Sequence, residues 1–585
     1  MSQVKGIPYG ISDFNRMRNE NFYFVDKTMY LPLIEEMPSY LFLIRPRRFG
    51  KSLFLSMMRT YYDIIQKDNF DKYFGDLWIG SRPTKQHNSF QVLFFDFSKA
   101  GCSLPGADLM SSFNEYCSII INQFAHAYAS YYDEDFKSTV ESIESAKAKL
   151  SYIEVKAKEK GYPLYLIIDE YDNFTNVILS EHGQKMFHDL THASGFYREY
   201  FKQFKGMFDR IFLMGVSPIT LDDLSSGYNI DWNISTDSRF NAMIGFDETE
   251  VREMLRYYQQ NGKLVGDVEA MITEMKPWYD NYCFARTSLD NDRVFNCDMT
   301  LYYLRNQIDF HRPPENMVDK NIRTDYSKLK MLARIDHDNT HEGSRMSTIE
   351  EIAAKGEILV DLHTSFPSEK IADIENFRSL LYYYGLLTMC GTRGDRLKMC
   401  IPNNCVREQY LGFLRDYYQQ AHTLNLSHLK DLIDDFAFDG HWQPFFETIA
   451  RAYRENSSIR DAIEGERNLQ GFLKAYLAIA YYLVQPELEM NYGYCDFFLL
   501  PDKMRYSDIE HSYILELKYA TRTATNAELE AQAEEGRQQL LRYSKDKVVQ
   551  KLATGTTLHL LLIQFQGWDM VKCEEINASA IHPLE

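Results

Sequence analysis

The chain has 585 residues, of which 45% are hydrophobic and 25% charged, and its formal net charge is −19. That length exceeds what one hydrophobic core serves, and the 41 Tyr and 38 Phe exclude a largely disordered chain. The acidic balance excludes uniform coating of a polyanion, so any nucleic acid must meet a local basic surface.

The first third predicts alternating strands and helices. LFLIR (Leu41–Arg45) reads as a short apolar strand that runs through RRFGKS into a helix, LFLSMMRTYYD. Arg45, Arg47, Arg48, Lys51 and Arg59 make this stretch the clearest basic patch. QVLFFDFS (Gln91–Ser98) is a second strand, and helical patterns fill Leu109 to Lys160 with a break near Asp133. YLIIDEYD (Tyr165–Asp172) is a third strand ending in acids, and RIFLMGVSPIT (Arg210–Thr220) a fourth ending in polar residues. Apolar strands separated by helices predict a parallel sheet covered on both faces.

The first strand delivers the end of a phosphate-binding loop. A triphosphate needs inward backbone N–H groups, a helix N-terminus and a lysine. Gly50 lets the backbone approach, Lys51 reaches the outer phosphates, Ser52 offers its hydroxyl to magnesium, and Arg47 and Arg48 add cations. Arg45 stands where the usual pattern has its first glycine, so GKS alone is a weak signal. The acids of YLIIDEYD strengthen it: Asp169 is expected to hold magnesium, and Glu170 to orient the attacking water. Ser217, after the fourth strand, is a candidate phosphate sensor, with a turn cap the bland alternative. Arg239 in STDSRFNAMIGF is a candidate trans-acting finger, with a surface salt bridge as its alternative.

From Asp247 to about Gln307 the pattern reads as short helices around WYDNYCF, and the charged stretch from Asp309 to Ser347 as a linker or mobile insertion. Helices are expected through Tyr384 and on to about Phe438. A different order follows: a helix (Asn468–Val484), strand-like ELEMNYGYCDFFLLP, the strand YILELKYA (Tyr513–Ala520), a long helix through AELEAQAEEGRQQLLRYSKD, and the strand LHLLLIQF.

This last region carries a second constellation. Phosphodiester hydrolysis needs a divalent metal, acids to hold it, and a base or cation beside the attacking water. GYCDFFL puts Asp496 on one strand and ILELKYA puts Glu516 and Lys518 on the next. Residues two apart share a strand face, so Glu516 and Lys518 point the same way. Asp496 and Glu516 are the expected metal ligands. Glu466 is a further candidate ligand, and Gln539 is placed to touch water or phosphate. A charged edge strand would also carry E-x-K, but ILELK is too apolar for one.

The nine cysteines form no CxxC pair, so buried free thiols are expected rather than zinc. The N-terminus lacks an apolar signal core, and the longest apolar candidate, FLKAYLAIAYYLV, is broken by Lys474. A cytoplasmic protein without a membrane partner is expected.

The chain resembles the bacterial AAA-ATPase-like proteins that carry a C-terminal PD-(D/E)XK nuclease domain. GIPYGISDFNRMRNENFYFVDKT, FLIRPRRFGKSLFLSM, YLIIDEYD, MGVSPIT and WYDNYCF carry the resemblance at the front; ERNLQGFL, GYCDFFL, YILELKYA and the helix around Gln539 carry it at the back. The family's loop also has arginine at the position of Arg45. Two departures stand out: Tyr494 where an arginine usually precedes the metal-binding acid, and Asn281 where glycine is usual. The resemblance implies an α/β chain: a P-loop NTPase-type parallel sheet with a helical extension (1–308), a linker and mostly helical middle region (309–440), and a restriction-endonuclease-like α/β domain (441–585). The expected cofactors are ATP and Mg2+, and the expected partners are nucleic acid, DNA above all, and further copies of the chain. An ATP-dependent nuclease, acting in defence against foreign DNA, is the first functional reading. The alternative is a nucleotide-controlled switch whose nuclease-like domain binds DNA or a protein without cleaving it.

Overall fold

Five strands of the first half pair in parallel: β1 (Tyr40–Ile44), β2 (Gln91–Asp96), β3 (Leu164–Asp169), β4 (Arg210–Gly215) and β5 (Trp232–Asn233), in the order β2-β3-β4-β1-β5. Every residue of β3 is buried, as expected for a strand covered on both faces. These positions come from a computed structural model, which describes residues 3–577 apart from 101–108, 176–195, 219–231, 291–292, 320–328, 330–331, 334–341, 368–369, 372, 421–425, 456–468, 471–472, 474–475, 478–480, 491–492, 502, 504–505 and 507. Register aligns the C-terminal ends: Ile44 lies opposite Gly215, and Asp169 opposite both Met214 and Asp96. Because β4 separates β1 from β3, the loops after β1, β3 and β4 emerge side by side.

The helix Lys51–Tyr62 starts directly after the loop that follows β1, and buries Phe54, Leu55, Met57, Met58, Tyr61 and Tyr62. The helical stretch expected from Leu109 to Lys160 breaks twice, into Leu109–Ala127, Phe136–Ser142 and Ala146–Lys160. The helices Glu248–Gln260, Val268–Tyr279 and Cys297–Phe310 follow, the first opened by a full capping box from Asp247 and Glu250. The stretch expected to be mostly helical also contains strands β6 (Glu357–Val360), β7 (Thr388–Arg393) and β8 (Arg396–Cys400), ordered β6-β8-β7. Gly394, at φ 63°, turns the β7–β8 hairpin. A register shift between Met389 and Gly391 breaks the alternation that would have announced β7.

The second mixed α/β sheet contains β9 (Tyr482–Met490), β10 (Gly493–Pro501), β11 (His511–Ala520), β12 (Thr557–Gln566) and β13 (Asp569–Glu575), in the order β13-β12-β11-β10-β9. Only β11 and β12 pair in parallel, and the helix Asn526–Ser544 crosses between them. Cys495, Phe498, Ile514, Ala533, Leu540 and Leu562 form its core. The helix expected to reach Val484 gives way to β9 from Tyr482, and β13 was not anticipated, because its residues alternate only between exposed and half-buried. The chain packs as two compact units: Met1–Asn321, Arg334–Asn339 and Leu359–Cys405 form one, and Ile322–Ala333, Thr340–Ile358 and Val406–Glu585 the other. Among the described residues no helix is long and apolar enough to cross a membrane.

WYDNYCF is a knot within the first unit. Asn281 sits at φ 85°, the left-handed region where glycine is easiest, and its Nδ2 donates to Pro402 O at 2.9 Å. The Asp280 carbonyl accepts from Asn403 Nδ2 at 3.0 Å, while the Asp280 side chain is buried and its Oδ1 meets no hydrogen-bond partner among the described residues. Burial pushes this carboxyl up to about 6, against the Asn281 N–H and Lys276, which pull it down. The folded state therefore binds the proton more tightly than the unfolded chain, whose carboxyl titrates near 3.8. The fold gains stability as pH falls from about 6 toward 4 and bears the desolvation penalty above that window. Asp280→Asn is expected to stabilise the first unit near neutral pH by on the order of 1–3 kcal/mol, and to flatten its pH dependence. Thermal melts of both proteins across pH check this; a lower neutral-pH midpoint in the variant contradicts it.

Candidate functional site

Two positions turn the loop between β1 and its helix through the left-handed region, Arg48 at φ 68° and Gly50 at φ 92°. Elements from later in the chain hold the loop's carbonyls. Phe49 O accepts from Gly245 N at 2.9 Å and from Cys297 Sγ at 3.2 Å, and Arg48 O accepts from Asp298 N at 3.4 Å.

Lys51 is buried, and its Nζ donates to Arg45 O at 3.1 Å and Pro46 O at 2.8 Å. Burial pulls the ammonium down, opposed by Asp169 and Glu170. Ser52 Oγ donates to Asp169 Oδ2 at 2.5 Å. Burial pushes the Asp169 carboxyl up to about 6, and the Ser52 hydrogen bond and Lys51 restrain it. Glu170 follows at φ 49°, a costly conformation for a non-glycine residue. Its carboxylate accepts from Asn173 Nδ2 at 2.6 Å and lies 3.9 Å from Arg47.

Lys51, Ser52, Asp169, Glu170 and Arg47 thus lie close together. A cavity of about 340 Å³ opens beside them, lined by Arg47 to Phe54, Glu170 and Asp298, with apolar walls that include Ile11, Phe24 and Leu301. Ser217 is wholly buried: its N–H donates to Asp172 Oδ2 at 2.6 Å, its carbonyl accepts from Tyr171 Oη at 2.7 Å, and its side chain meets Tyr384. Arg239 is not among the residues lining the cavity. It pairs with Asp237 at 2.6 Å on a partly exposed turn. Asp172 is the residue the motif reading missed: it collects the N–H groups of Val216 and Ser217 and so fixes the exit of β4. The basic patch also needs correction, because Arg45 and Lys51 are buried and cannot belong to a surface.

In the second unit, the recorded pairing of β10 with β11 runs from Leu499 opposite Tyr513 to Phe497 opposite Leu515. Continued, it would set Asp496 across from Glu516. There the Asp496 side chain takes the ladder's place: Oδ2 accepts from Leu517 N at 2.8 Å and Oδ1 from Gln470 Nε2 at 3.0 Å. Glu516 is buried, and its Oε1 lies 3.0 Å from Lys518 Nζ. Lys518 also donates to Gln539 Oε1 at 2.6 Å. Glu516, Lys518 and Gln539 are therefore joined in one chain of contacts, and Asp496 is tied beside them to the backbone of Leu517. Glu466 lies outside the described residues.

Gln470 and Gly536 were not foreseen. A helix residue that reaches a strand's acid leaves no local signal, and Gly536 reads only as a weak point in its helix. Its role is space: a Cβ there would stand 2.6 Å from Leu562 Cδ1 and 3.3 Å from Lys518 Cε.

Residues 8–225 match the family model described as a predicted AAA-ATPase, and residues 464–575 match that of the PD-(D/E)XK nuclease superfamily. The chain thus carries an AAA-ATPase-like domain and a C-terminal PD-(D/E)XK nuclease-like domain. A curated relative, an uncharacterized protein in the vnfD 5' region of Azotobacter chroococcum mcd 1, is 27% identical over 281 residues, 48% of each chain. The chain therefore spans about half the length of that relative. Similar solved structures include the Aeropyrum pernix ORC1 protein in complex with DNA, at 12% identity over 69% of this chain and 93% of that one, with a TM-score of 0.24. Another is the Aeropyrum pernix ORC2 protein in its ADPNP-ADP complexes, at 10% identity over 67% and 93%, with a TM-score of 0.30.

Gly536→Ala is expected to destabilise the second unit by about 1–3 kcal/mol, because Leu562 and Lys518 must both give way. Glu535→Ala, on the exposed side of the same helix, should stay within about 0.5 kcal/mol of the parent. Urea unfolding of the three proteins makes the comparison; equal midpoints would show that the glycine's space is not needed.

Proposed function

We propose that this chain, which joins an AAA-ATPase-like domain to a PD-(D/E)XK nuclease-like domain, binds and hydrolyses ATP with Mg2+ in the first unit and cleaves DNA with a divalent metal in the second. The 2.5 Å Ser52–Asp169 contact beneath Lys51 carries the nucleotide reading. A hydroxyl and a carboxylate side by side suit a magnesium ion's preference for oxygen, and the cavity beside them has room for the rest of a nucleotide. Magnesium, when bound, would neutralise charge on the outer phosphates.

Lys51 would leave the Arg45 and Pro46 carbonyls for those phosphates, and Arg47 adds charge at the rim. Glu170 would orient the attacking water and accept its proton, while Asp172 holds Ser217 in place behind. Arg239, pinned by Asp237, is retained as a trans-acting candidate in an oligomer.

The second reading rests on Lys518 lying against Glu516 where Asp496 interrupts the ladder. Two carboxylates beside a cation fit a hard divalent metal, which would activate water. Asp496 and Glu516 would hold it, and Lys518, oriented by Gln539, would stabilise charge on the attacked phosphate. One observation favours the non-cleaving switch: Asp496 and Lys518 are already tied to protein partners, so metal or substrate must compete for them.

Lys51→Ala is expected to abolish ATP turnover, and Glu170→Gln to slow it while binding persists, with phosphate release and equilibrium binding as the readouts. Since Asp169 titrates at about 6, binding of magnesium and nucleotide should weaken as pH falls through that value, where the carboxylate loses its charge. Asp496→Ala and Lys518→Ala should abolish nicking of supercoiled plasmid in magnesium and leave ATP turnover intact. Excess manganese should partly rescue only the aspartate variant. Nicking unchanged in both variants removes the cleavage site from this fork, and no nicking by the parent protein favours the switch.

A further inference from the structure

Arg45 stands where a phosphate loop usually begins with glycine, and it is only 1% exposed. Its guanidinium works as a three-way brace. Nη1 donates to Ile44 O at 3.0 Å and to Ser235 O at 2.6 Å, and Nη2 donates to Phe240 O at 3.0 Å. The ring of Phe284, from the WYDNYCF knot, lies 4.2 Å from its Cζ. The residue's own N–H donates to Gly215 O at 3.1 Å, which fastens it to β4, and its carbonyl is one of the two that receive Lys51 Nζ.

These partners are carbonyls and a ring; among the described residues Nε meets no hydrogen-bond partner, and no carboxylate is bonded to the fork. Burial pulls the guanidinium down to about 10, which still leaves it charged at neutral pH. A buried cation without an opposite charge is unfavourable, and truncating it would leave several carbonyls without their donor. An arginine meant only to fill space would be replaced more favourably by an apolar side chain.

Resting on the nucleotide reading above, we propose that Arg45 is a positioning residue for the triphosphate. It fixes the strand-to-loop junction from behind, so that Lys51 is aimed into the loop. The arginine thereby replaces the conformational role of the missing glycine with a bracing one. The same fork ties down the Ser235–Phe240 stretch that carries Arg239, so any movement of that stretch is felt at the loop.

The test is equilibrium binding of a fluorescent ATP analogue, with magnesium, to the full chain and to Arg45→Met and Arg45→Lys, with circular dichroism melts run alongside. Arg45→Met, folded at the assay temperature, is expected to bind at least about tenfold more weakly, the equivalent of one charge-assisted hydrogen bond. Arg45→Lys keeps the charge and loses the fork, so it should recover part of that loss. A purely structural role would lower the melting temperature and leave the affinity of the folded protein unchanged. Arg45→Met binding within about twofold of the parent therefore overturns the proposal. If Arg45→Met does not fold, Arg45→Lys decides: weaker binding by about threefold or more supports the brace, and parental affinity overturns it. A parent protein that binds no nucleotide overturns both this inference and the reading on which it rests.

Discussion

Charge held out of water at the C-terminal ends of parallel strands governs the first unit. Lys51 and Asp169 are both buried, and burial pushes each toward its neutral form. Neither would be tolerated alone in such a place, so each is held by a partner: loop carbonyls for the ammonium, the Ser52 hydroxyl for the carboxylate. The sheet order makes this possible, because β4 lies between β1 and β3 and its exit is fixed by a second buried acid, Asp172. A polyphosphate with its magnesium ion would add further charge partners to both groups. Binding there can thus convert stored desolvation into affinity.

The second unit handles buried charge differently. Its acids and lysine sit where an antiparallel pair stops pairing, and a side-chain carboxylate substitutes for a backbone acceptor at Leu517. Gln470 holds Asp496 and Gln539 holds Lys518, so helix residues orient both charged side chains. Such rigidity suits a catalyst whose ligands must not reorganise, and it equally suits a recognition module.

What the sequence made legible follows from how local each signal is. Strand, GKS loop and helix are contiguous, and DEYD ends a fully apolar run, so the convergence of Lys51, Ser52, Asp169 and Glu170 could be anticipated. Glu516 and Lys518 share a face by period alone. Arg45 could not be placed, because an arginine in a basic run reads as surface until the distant carbonyls of Ser235 and Phe240 are found around it. The β7–β8 hairpin was hidden by a bulge that interrupts its alternation. Gln470 acts across 26 positions of sequence, a distance at which neither period nor propensity speaks. Asn281 shows the reverse case: the departure from glycine was visible, and its left-handed backbone gives the reason glycine is usual there.

Because the account turns on one contact, its most direct test is the distance from Ser52 Oγ to the Asp169 carboxylate in a crystal structure of the chain with magnesium and a non-hydrolysable ATP analogue. The 2.5 Å contact is expected to open with the metal held at Ser52, and Lys51 Nζ to leave the Arg45 and Pro46 carbonyls for the outer phosphates. An analogue bound elsewhere, with the Ser52–Asp169 contact intact and Lys51 still on its own loop, would contradict it.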